Sequence, residues 1–518
     1  MSKRLLKSGI IVSAMTFISR VLGLVRDMVI ANMAGAGLAA DVYLFANRIP
    51  NFFRRLFAEG AFAQAFVPVL TEVKEKHGDD EVRILFAKVA GTLGTIVTVV
   101  VLLGVLGSSV VAAIFGFDWF WQWYTGEGDE GKYELFSTML KITFPYLWFI
   151  TLVALSGAVL NTYNRFAVAA FTPVFLNIAI IASALYLSPF FEVPEMALAV
   201  GVFIGGLVQF LFQLPFLARL GLLKRPRWAW HDEHVKRIRT LMLPAMFGVS
   251  VSQINLLLDT VIASFLITGS VSWLYYADRL IEFPLGLFGI GIATVILPAL
   301  SREYTNEKSE QFAATMDWGV RFIGFFGVAA LTGLMMLAAP IITVLFYHGE
   351  FKQSDVGQVS LALLAYSSGL LSFMMIKVLA PGFYSRQDIK TPVRIGIIAM
   401  VANMGFNLAL VPFLGYIGLA LATAMSATLN AGLLYRGLKQ QGIYHFAADT
   451  WYFFGKLVVA AIAMALVLWK ITPQIELWYD FSVWQKLVWL FGCIGAGAAT
   501  YITSLLILGL RPWDLKSS

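Results

Sequence analysis

The chain has 518 residues, 59% of them hydrophobic and only 13% charged, with a formal net charge of +7. A soluble domain is about 45–50% apolar and about 25% charged, so a water-soluble enzyme or binding module is excluded and the bilayer is the main solvent. The lone cysteine, Cys493, excludes a disulfide framework and a thiolate metal cage and reads as a small buried apolar residue.

At about 20 residues per crossing, apolar runs predict fourteen spans. In chain order they cover residues 8–34, 40–70, 86–115, 136–162, 166–188, 196–218, 240–267, 271–300, 316–346, 358–384, 392–412, 415–435, 453–471 and 487–509. The basic start leads into a long run holding Arg20, Arg26 and Asp27 without a clear cleavage site, which predicts an uncleaved first helix. Lys and Arg crowd the connections on one side, including Lys224, Arg225, Arg227, Lys236, Arg237 and Arg239, and this bias places both termini in the cytoplasm. It also accounts for most of the net charge, so no nucleic-acid partner is implied. The connection 116–134, with Trp119, Trp121, Trp123, Glu127, Asp129 and Glu130, reads as an aromatic belt on the outer face. The five histidines (His77, His231, His234, His348, His445) fall in predicted loops and form no metal or catalytic pair.

The two halves echo each other. Ala46-Asn47-Arg48 recurs as Ala277-Asp278-Arg279, and Phe66-Val67-Pro68-Val69-Leu70 resembles Val295-Ile296-Leu297-Pro298-Ala299-Leu300, in each case about 230 residues on. Tyr163-Asn164-Arg165 with Thr172-Pro173-Val174 recurs as Tyr384-Ser385-Arg386 with Thr391-Pro392-Val393. A repeat of six spans is even-numbered, so both halves enter from the same side, as in transporters built from parallel repeats. The predicted organisation is therefore all-α, with a six-helix lobe at 1–219, a second at 220–440 and two added helices in 441–518.

Charges inside spans carry the functional argument. An arginine at a span centre costs about 2.5–3.5 kcal/mol on insertion scales and needs a partner or a wet cavity. The first two spans hold Arg20, Arg26, Asp27, Asp41, Arg48, Arg54, Arg55 and Glu59, and the eighth holds Asp278, Arg279 and Glu282. Arg20 and Asp27 share a helix face by spacing, Arg48, Arg55 and Glu59 share a stripe, and Arg279 and Glu282 are one turn apart. The acids neutralise only part of this set. The remaining guanidinium charge suits an anion, phosphate above all, through bidentate hydrogen bonds. Interfacial snorkelling or internal salt bridging is the plainer alternative, above all for Arg48, Arg55, Asp27 and Glu282. Lys377 stands alone in the tenth span. A second group, Asp259, Asn403, Asn407 and Thr423, offers the oxygen ligands of a hard cation such as Na⁺, or else helix–helix hydrogen bonds. Pro50, Pro145, Pro244, Pro284, Gly286, Gly289 and Gly291 mark spans that can bend or pack closely.

Four segments carry a resemblance: Ser19-Arg20-Val21-Leu22-Gly23-Leu24-Val25-Arg26-Asp27, Pro50-Asn51-Phe52-Phe53-Arg54-Arg55-Leu56-Phe57-Ala58-Glu59-Gly60-Ala61-Phe62, Tyr276-Ala277-Asp278-Arg279-Leu280 and Ala380-Pro381-Gly382-Phe383-Tyr384-Ser385-Arg386-Gln387-Asp388. With them the chain resembles, over essentially its whole length, the MurJ (formerly MviN) family of lipid II flippases, within the multidrug/oligosaccharidyl-lipid/polysaccharide exporter superfamily. The resemblance implies fourteen helices and a central cavity, lined by the first, second, seventh and eighth, for the diphosphate and sugar-peptide head of lipid II. Arg20, Arg26, Arg54 and Arg279 match the family's cavity arginines, and Asp27, Asp41 and Glu59 its acidic cavity positions. The last two helices are similar to a pair that forms a groove for the polyprenyl tail. Some members resemble a Na⁺-binding pattern in which Asp259 is retained here, while Asn407 stands where the pattern has a second acid; for Gram-negative relatives the resemblance implies dependence on membrane potential instead.

The expected function is thus transfer of lipid II from the cytoplasmic to the periplasmic leaflet of a bacterial inner membrane by alternating access. No enzymatic step or cofactor is expected, Na⁺ or the membrane potential would supply the drive, and membrane lipids and proteins of cell-wall synthesis or division are the further partners. A flippase for another polyprenyl-diphosphate sugar is the alternative. A drug/cation antiporter would want an acidic aromatic cavity, which the arginine-rich first lobe does not offer, and a lipid-carrier transferase would need Asp clusters or His pairs at the membrane face, which the sequence lacks.

Overall fold

The computed structural model describes residues 3–55, 61–128 and 131–510. Among these residues every regular element is helical and no strand occurs, as expected where hydrocarbon offers the backbone no partner and each segment must satisfy its own amides. Among the described residues, eleven helical stretches are long and apolar enough to cross a membrane. With α1 (Lys3–Ala34), α2 (Leu38–Arg54) and α10 (Glu233–Ser264), they are consistent with the fourteen expected spans.

The chain divides into two compact units, Met1–Ser272 and Trp273–Ser518. In the first, α1 runs for 32 residues, about 48 Å at 1.5 Å per residue, and exceeds the hydrocarbon thickness. After α2, α3 (Ala61–Leu106) breaks at Gly78, where φ is 80° and ψ is −175°, a backbone region that only glycine enters cheaply. That break ends the second crossing and starts the third without a separate loop. Then come α4 (Ser108–Phe115), α5 (Phe117–Thr125), α6 (Lys132–Thr143), α7 (Tyr146–Thr162), α8 (Phe166–Tyr186) and α9 (Met196–Arg219), with a 3-10 turn at Ser188–Phe190. Helix α8 packs on both α1 and α9, α7 packs on α9 and α3, and α10 lies along α3. The α8–α9 approach rests on Gly201 and Gly205, where an added Cβ would fall 2.9 Å from Ile180 Cα and 2.6 Å from Leu176 Cδ1. Small residues four apart let backbones close in this way in membranes, where apolar burial alone gives little drive for association.

The second unit takes in most of α11 (Ser270–Pro284), then a π-helical turn at Leu285–Gly289 and α12 (Ile290–Thr305). The turn follows Pro284, which has no N–H to give the preceding turn and so favours a wider loop of helix. The series continues with α13 (Ser309–Met336), α14 (Ala338–Phe346), α15 (Gln353–Ser367), α16 (Leu370–Tyr384), α17 (Lys390–Leu414), α18 (Tyr416–Gln440), α19 (Ala448–Ile471), α20 (Ile475–Asp480) and α21 (Val483–Ile507). The predicted extra pair, α19 and α21, packs together and against α13 through Phe453, Leu457, Met464, Leu468, Cys493 and Tyr501. Cys493 is buried there.

The connection 116–134 holds a helix, α5, rather than only a loop. Helix α5 turns Trp119 inward onto Phe45 and Phe136, at ring distances of 4.9 and 5.6 Å, while Trp121 and Trp123 stay exposed. Asp129 and Glu130 lie outside the described residues. His77 and His234 sit in helical turns of α3 and α10 rather than in loops.

On the basic side, the segment between α9 and α10 is tied to α3. Arg227 N donates to Ala87 O at 3.0 Å, Ala229 N donates to Thr92 Oγ1 at 3.0 Å, and Lys88 pairs with Asp232. Asp232 also caps α10, accepting from His234 N and Val235 N. Burial pushes its carboxyl up, but Lys88 and the two backbone donors outweigh burial and hold it below the usual carboxylate range. A depressed native pKa adds stability above the unfolded value and loses it as pH falls through the native one. Thermal stability should therefore fall progressively below about pH 4, and Asp232→Asn should flatten that acid limb; an unchanged profile would remove the cap from the account.

Candidate functional site

In the first unit two of the predicted charges, Arg26 and Asp27 on α1, meet Asn177 of α8. The side chain of Asp27 is fully buried and that of Arg26 is 16% exposed. Arg26 Nε and Nη2 donate to Asp27 Oδ1 at 3.0 and 2.7 Å, and Nη1 donates to Asn177 Oδ1 on α8 at 3.0 Å. Asn177 returns to α1 by donating to Ser19 O at 3.1 Å. The acid thus holds the guanidinium at the α1–α8 seam. Arg20, a predicted face-mate of Asp27, is exposed instead, and among the described residues no hydrogen bond or ion pair holds it.

Helix α2 carries the other predicted groups of this unit. Arg54 Nε donates to Asn51 Oδ1 at 3.0 Å, and Asn51 Nδ2 donates back to Asn47 O at 2.7 Å. Arg48 Nη1 reaches Thr260 Oγ1 on α10 at 3.4 Å. Arg55 is exposed at the end of the described stretch, and Glu59 lies outside the described residues. Asp41, in the first turn of α2, is buried and accepts from Gly269 N at 2.6 Å, Ser272 N at 2.8 Å and Ser272 Oγ at 2.6 Å. It closes the start of α11, where unpaired N–H groups and the helix dipole both favour an anion.

In the second unit, the spacing-based pair on α11 is made: Arg279 Nη1 donates to Glu282 Oε2 at 2.7 Å, Nη2 donates to Tyr275 OH at 3.2 Å, and the guanidinium lies 5.3 Å from the Tyr275 ring centre. Asp278 and Glu282 are exposed. Lys377 is exposed on α16.

The oxygen-rich group is divided in sequence between the units. Asp259 is half-buried on α10. Asn403 and Asn407 are buried on α17; Asn407 Nδ2 donates to Asn403 Oδ1 at 3.0 Å, and Asn403 Nδ2 lies 3.5 Å from Ser426 Oγ on α18. Thr423 donates to Leu419 O of its own helix at 2.9 Å. The α17–α18 contacts are between amide and hydroxyl groups, those of Asn403, Asn407 and Ser426. Among the described residues no three His, Cys, Asp or Glu side chains cluster as metal ligands.

Sequence reasoning missed Asn177, Gly269, Ser272 and Tyr275. Asn177 had a signal, since an amide in the apolar run 166–188 needs a partner. Tyr275 had one too, four residues from Arg279. The Gly269 and Ser272 amides carry no side-chain signature.

Comparison with known proteins shows the family. A sequence profile described as "Lipid II flippase MurJ" matches residues 30–488. A Vibrio cholerae serotype O1 protein named "Probable lipid II flippase MurJ" is 62% identical over all of this chain and 98% of its own length. A Burkholderia cenocepacia protein named "Lipid II flippase MurJ" is 38% identical over 98% of both chains. Among solved structures, "Lipid II flippase MurJ, inward closed conformation" is similar at 26% identity with a TM-score of 0.80, covering 96% of this chain and 98% of that one. An inward-facing multidrug resistance MATE family transporter of the MOP superfamily, 14% identical with a TM-score of 0.67 over 84% of this chain and 98% of its own, shares the fold. The chain is a multi-pass membrane protein, and it belongs to the lipid II flippase MurJ family.

Proposed function

We propose that the chain flips lipid II from the cytoplasmic to the periplasmic leaflet of a bacterial inner membrane by alternating access, with both termini in the cytoplasm. The observation that carries this reading is the family likeness along the whole chain, from a profile spanning residues 30–488 to a relative 62% identical end to end. That likeness favours lipid II over another polyprenyl-diphosphate sugar or a cationic drug.

In this reading the diphosphate meets Arg20, Arg26, Arg54 and Arg279. Each guanidinium held in the structure has a partner that a diphosphate would displace: Asp27 and Asn177 for Arg26, Asn51 for Arg54, Glu282 and Tyr275 for Arg279. A charge pair at about 4 Å is worth about 4 kcal/mol at an effective dielectric of about 20, before desolvation. The exchange is therefore near balance, which suits a carrier that must grip and let go. Asp27, Asp41, Glu59, Asp278 and Glu282 serve as exchange or gating acids. The lobes 1–219 and 220–440 form the carrier, and the helices in 441–518 hold the tail. Asp259, Asn403, Asn407 and Thr423 form the candidate cation set. Either Na⁺ or the membrane potential drives the cycle without a prosthetic group or chemical conversion, and collapsing each gradient separately in proteoliposomes distinguishes them. Proteins of wall synthesis or division are the proposed cellular partners.

Depleting the protein should trap lipid II on the cytoplasmic leaflet; accumulation on the outer leaflet would overturn the direction. Charge reversal at Arg20, Arg26 or Arg279 should abolish flipping in proteoliposomes while the variants still insert. Undiminished flipping by all three would remove the diphosphate assignment.

A further inference from the structure

The first unit holds a cavity of about 610 Å³ whose wall is built from α3, α7, α8 and α9. Two of its lining residues, Gln209 and Gln213, are four apart on α9 and so share one face. They are only 2% and 1% exposed. Their amide orientations are fixed by what they meet. Gln209 Nε2 lies 3.2 Å from the Thr172 carbonyl oxygen, which can only accept. Gln213 Nε2 lies 3.0 Å from the Thr172 hydroxyl, whose own proton is committed to Val168 O at 2.8 Å. Both nitrogens therefore donate to α8, and both Oε1 atoms are left buried without a hydrogen-bond partner. Unsatisfied buried acceptors are rare in folded chains because they forfeit water without replacing it. Two on one helix face, beside a cavity, ask for donors.

The chemistry of the wall narrows what supplies them. Among the described residues that line the cavity there is no acid and no base, and the polar remainder is amide and hydroxyl, including Asn161 and Thr162. An ion would be stranded there. Water alone fits poorly: at about 30 Å³ each the space would take about 20 molecules, most of them against Val, Ile, Ala and Phe side chains. The volume falls within the range of small-molecule sites, about 300–1,000 Å³.

We propose that this cavity binds an uncharged amphiphile that carries two hydrogen-bond donors on an alkyl body. With a small rotation of each amide about its Nε2 anchor on α8, the Oε1 atoms of Gln209 and Gln213 accept from two hydroxyls, and the chain lies along the apolar walls of α3 and α7. The transported substrate has no part in this proposal, which stands or falls apart from the flipping reading.

The test uses the full chain purified in detergent and three photoreactive probes with the same diazirine-bearing ten-carbon chain, ending in a 1,2-diol, a methyl group or a carboxylate. The diol should label peptides of α7, α8 and α9 about tenfold more strongly than the methyl-ended probe, the effect of roughly two net neutral hydrogen bonds, and the carboxylate should label least. Gln209→Leu/Gln213→Leu should bring diol labelling down to the methyl-ended level without lowering the latter. Ala154→Phe, which projects a ring into the cavity from α7, should lower labelling by both. Equal labelling by diol and methyl-ended probes, preference for the carboxylate, a diol preference that survives the double substitution, or label confined to other helices would each overturn the proposal. If the double variant does not fold, the three probes on the unaltered chain and on Ala154→Phe still decide it.

Discussion

Arg26→Ala is expected to lower the stability of the purified chain by about 3–5 kcal/mol, the usual cost of removing one partner from a buried ion pair. Asp27 would keep its charge with no exposed surface, having lost both guanidinium contacts at 2.7 and 3.0 Å. Asn177 would lose its link to Arg26 and retain only the one to Ser19 O. Replacing both charges, as Arg26→Met with Asp27→Leu, should recover most of the stability, because an apolar pair of similar volume is often no worse than a buried salt bridge. Flipping should stay lost, since no guanidinium remains at position 26. Denaturant titration and a proteoliposome flipping assay, run on the single and double variants, separate the two roles. A single variant within 1 kcal/mol of the parent would show that the pair carries little structural weight.

Asp41→Ala should be about as damaging, for a different reason. One carboxylate takes three donors at the start of α11, from Gly269 N, Ser272 N and Ser272 Oγ. Buried donors left without an acceptor cost about 1–3 kcal/mol each, so a loss of about 3 kcal/mol or more is expected. Asn offers one acceptor in place of two, and Asp41→Asn should fall midway. Hydrogen exchange at the Gly269 and Ser272 amides reads this directly: both should speed up by about a hundredfold in Asp41→Ala, the equivalent of about 2.7 kcal/mol. Unchanged protection would mean that water or another group takes over the cap.

These contacts also show how far the sequence reaches. Helical spacing found the Arg279–Glu282 pair, because neighbours three or four apart on a helix meet whatever surrounds them. The same rule put Asp27 beside Arg20, whereas the structure has it held by adjacent Arg26. A long flexible guanidinium can bend around to a next-door carboxylate, a freedom that spacing rules ignore. The apolar runs gave the helices, yet the turn at Gly78 was hidden because polar, helix-compatible residues continue on both sides of it. Asn177 and the amides that meet Asp41 are more than 150 residues away in the chain from what they bind, so only tertiary packing could reveal them. Gln209 and Gln213 stood in plain view at helical spacing, but what sets them apart is that each Oε1 lacks a donor, which no sequence displays.

The π-helical turn at Leu285–Gly289 has a consequence for the helix that follows it. Such a turn houses roughly one residue more than an α-turn, so every side chain after it is rotated by about 100° from where an unbroken α-helix would put it. The widened turn therefore sets the phase of Ile290–Thr305, deciding that Ile292, Ile296 and Leu300 point inward while Val295 and Leu297 look out. Straightening it would dial that entire stripe around to the wrong side, as if the helix had been read in a shifted frame.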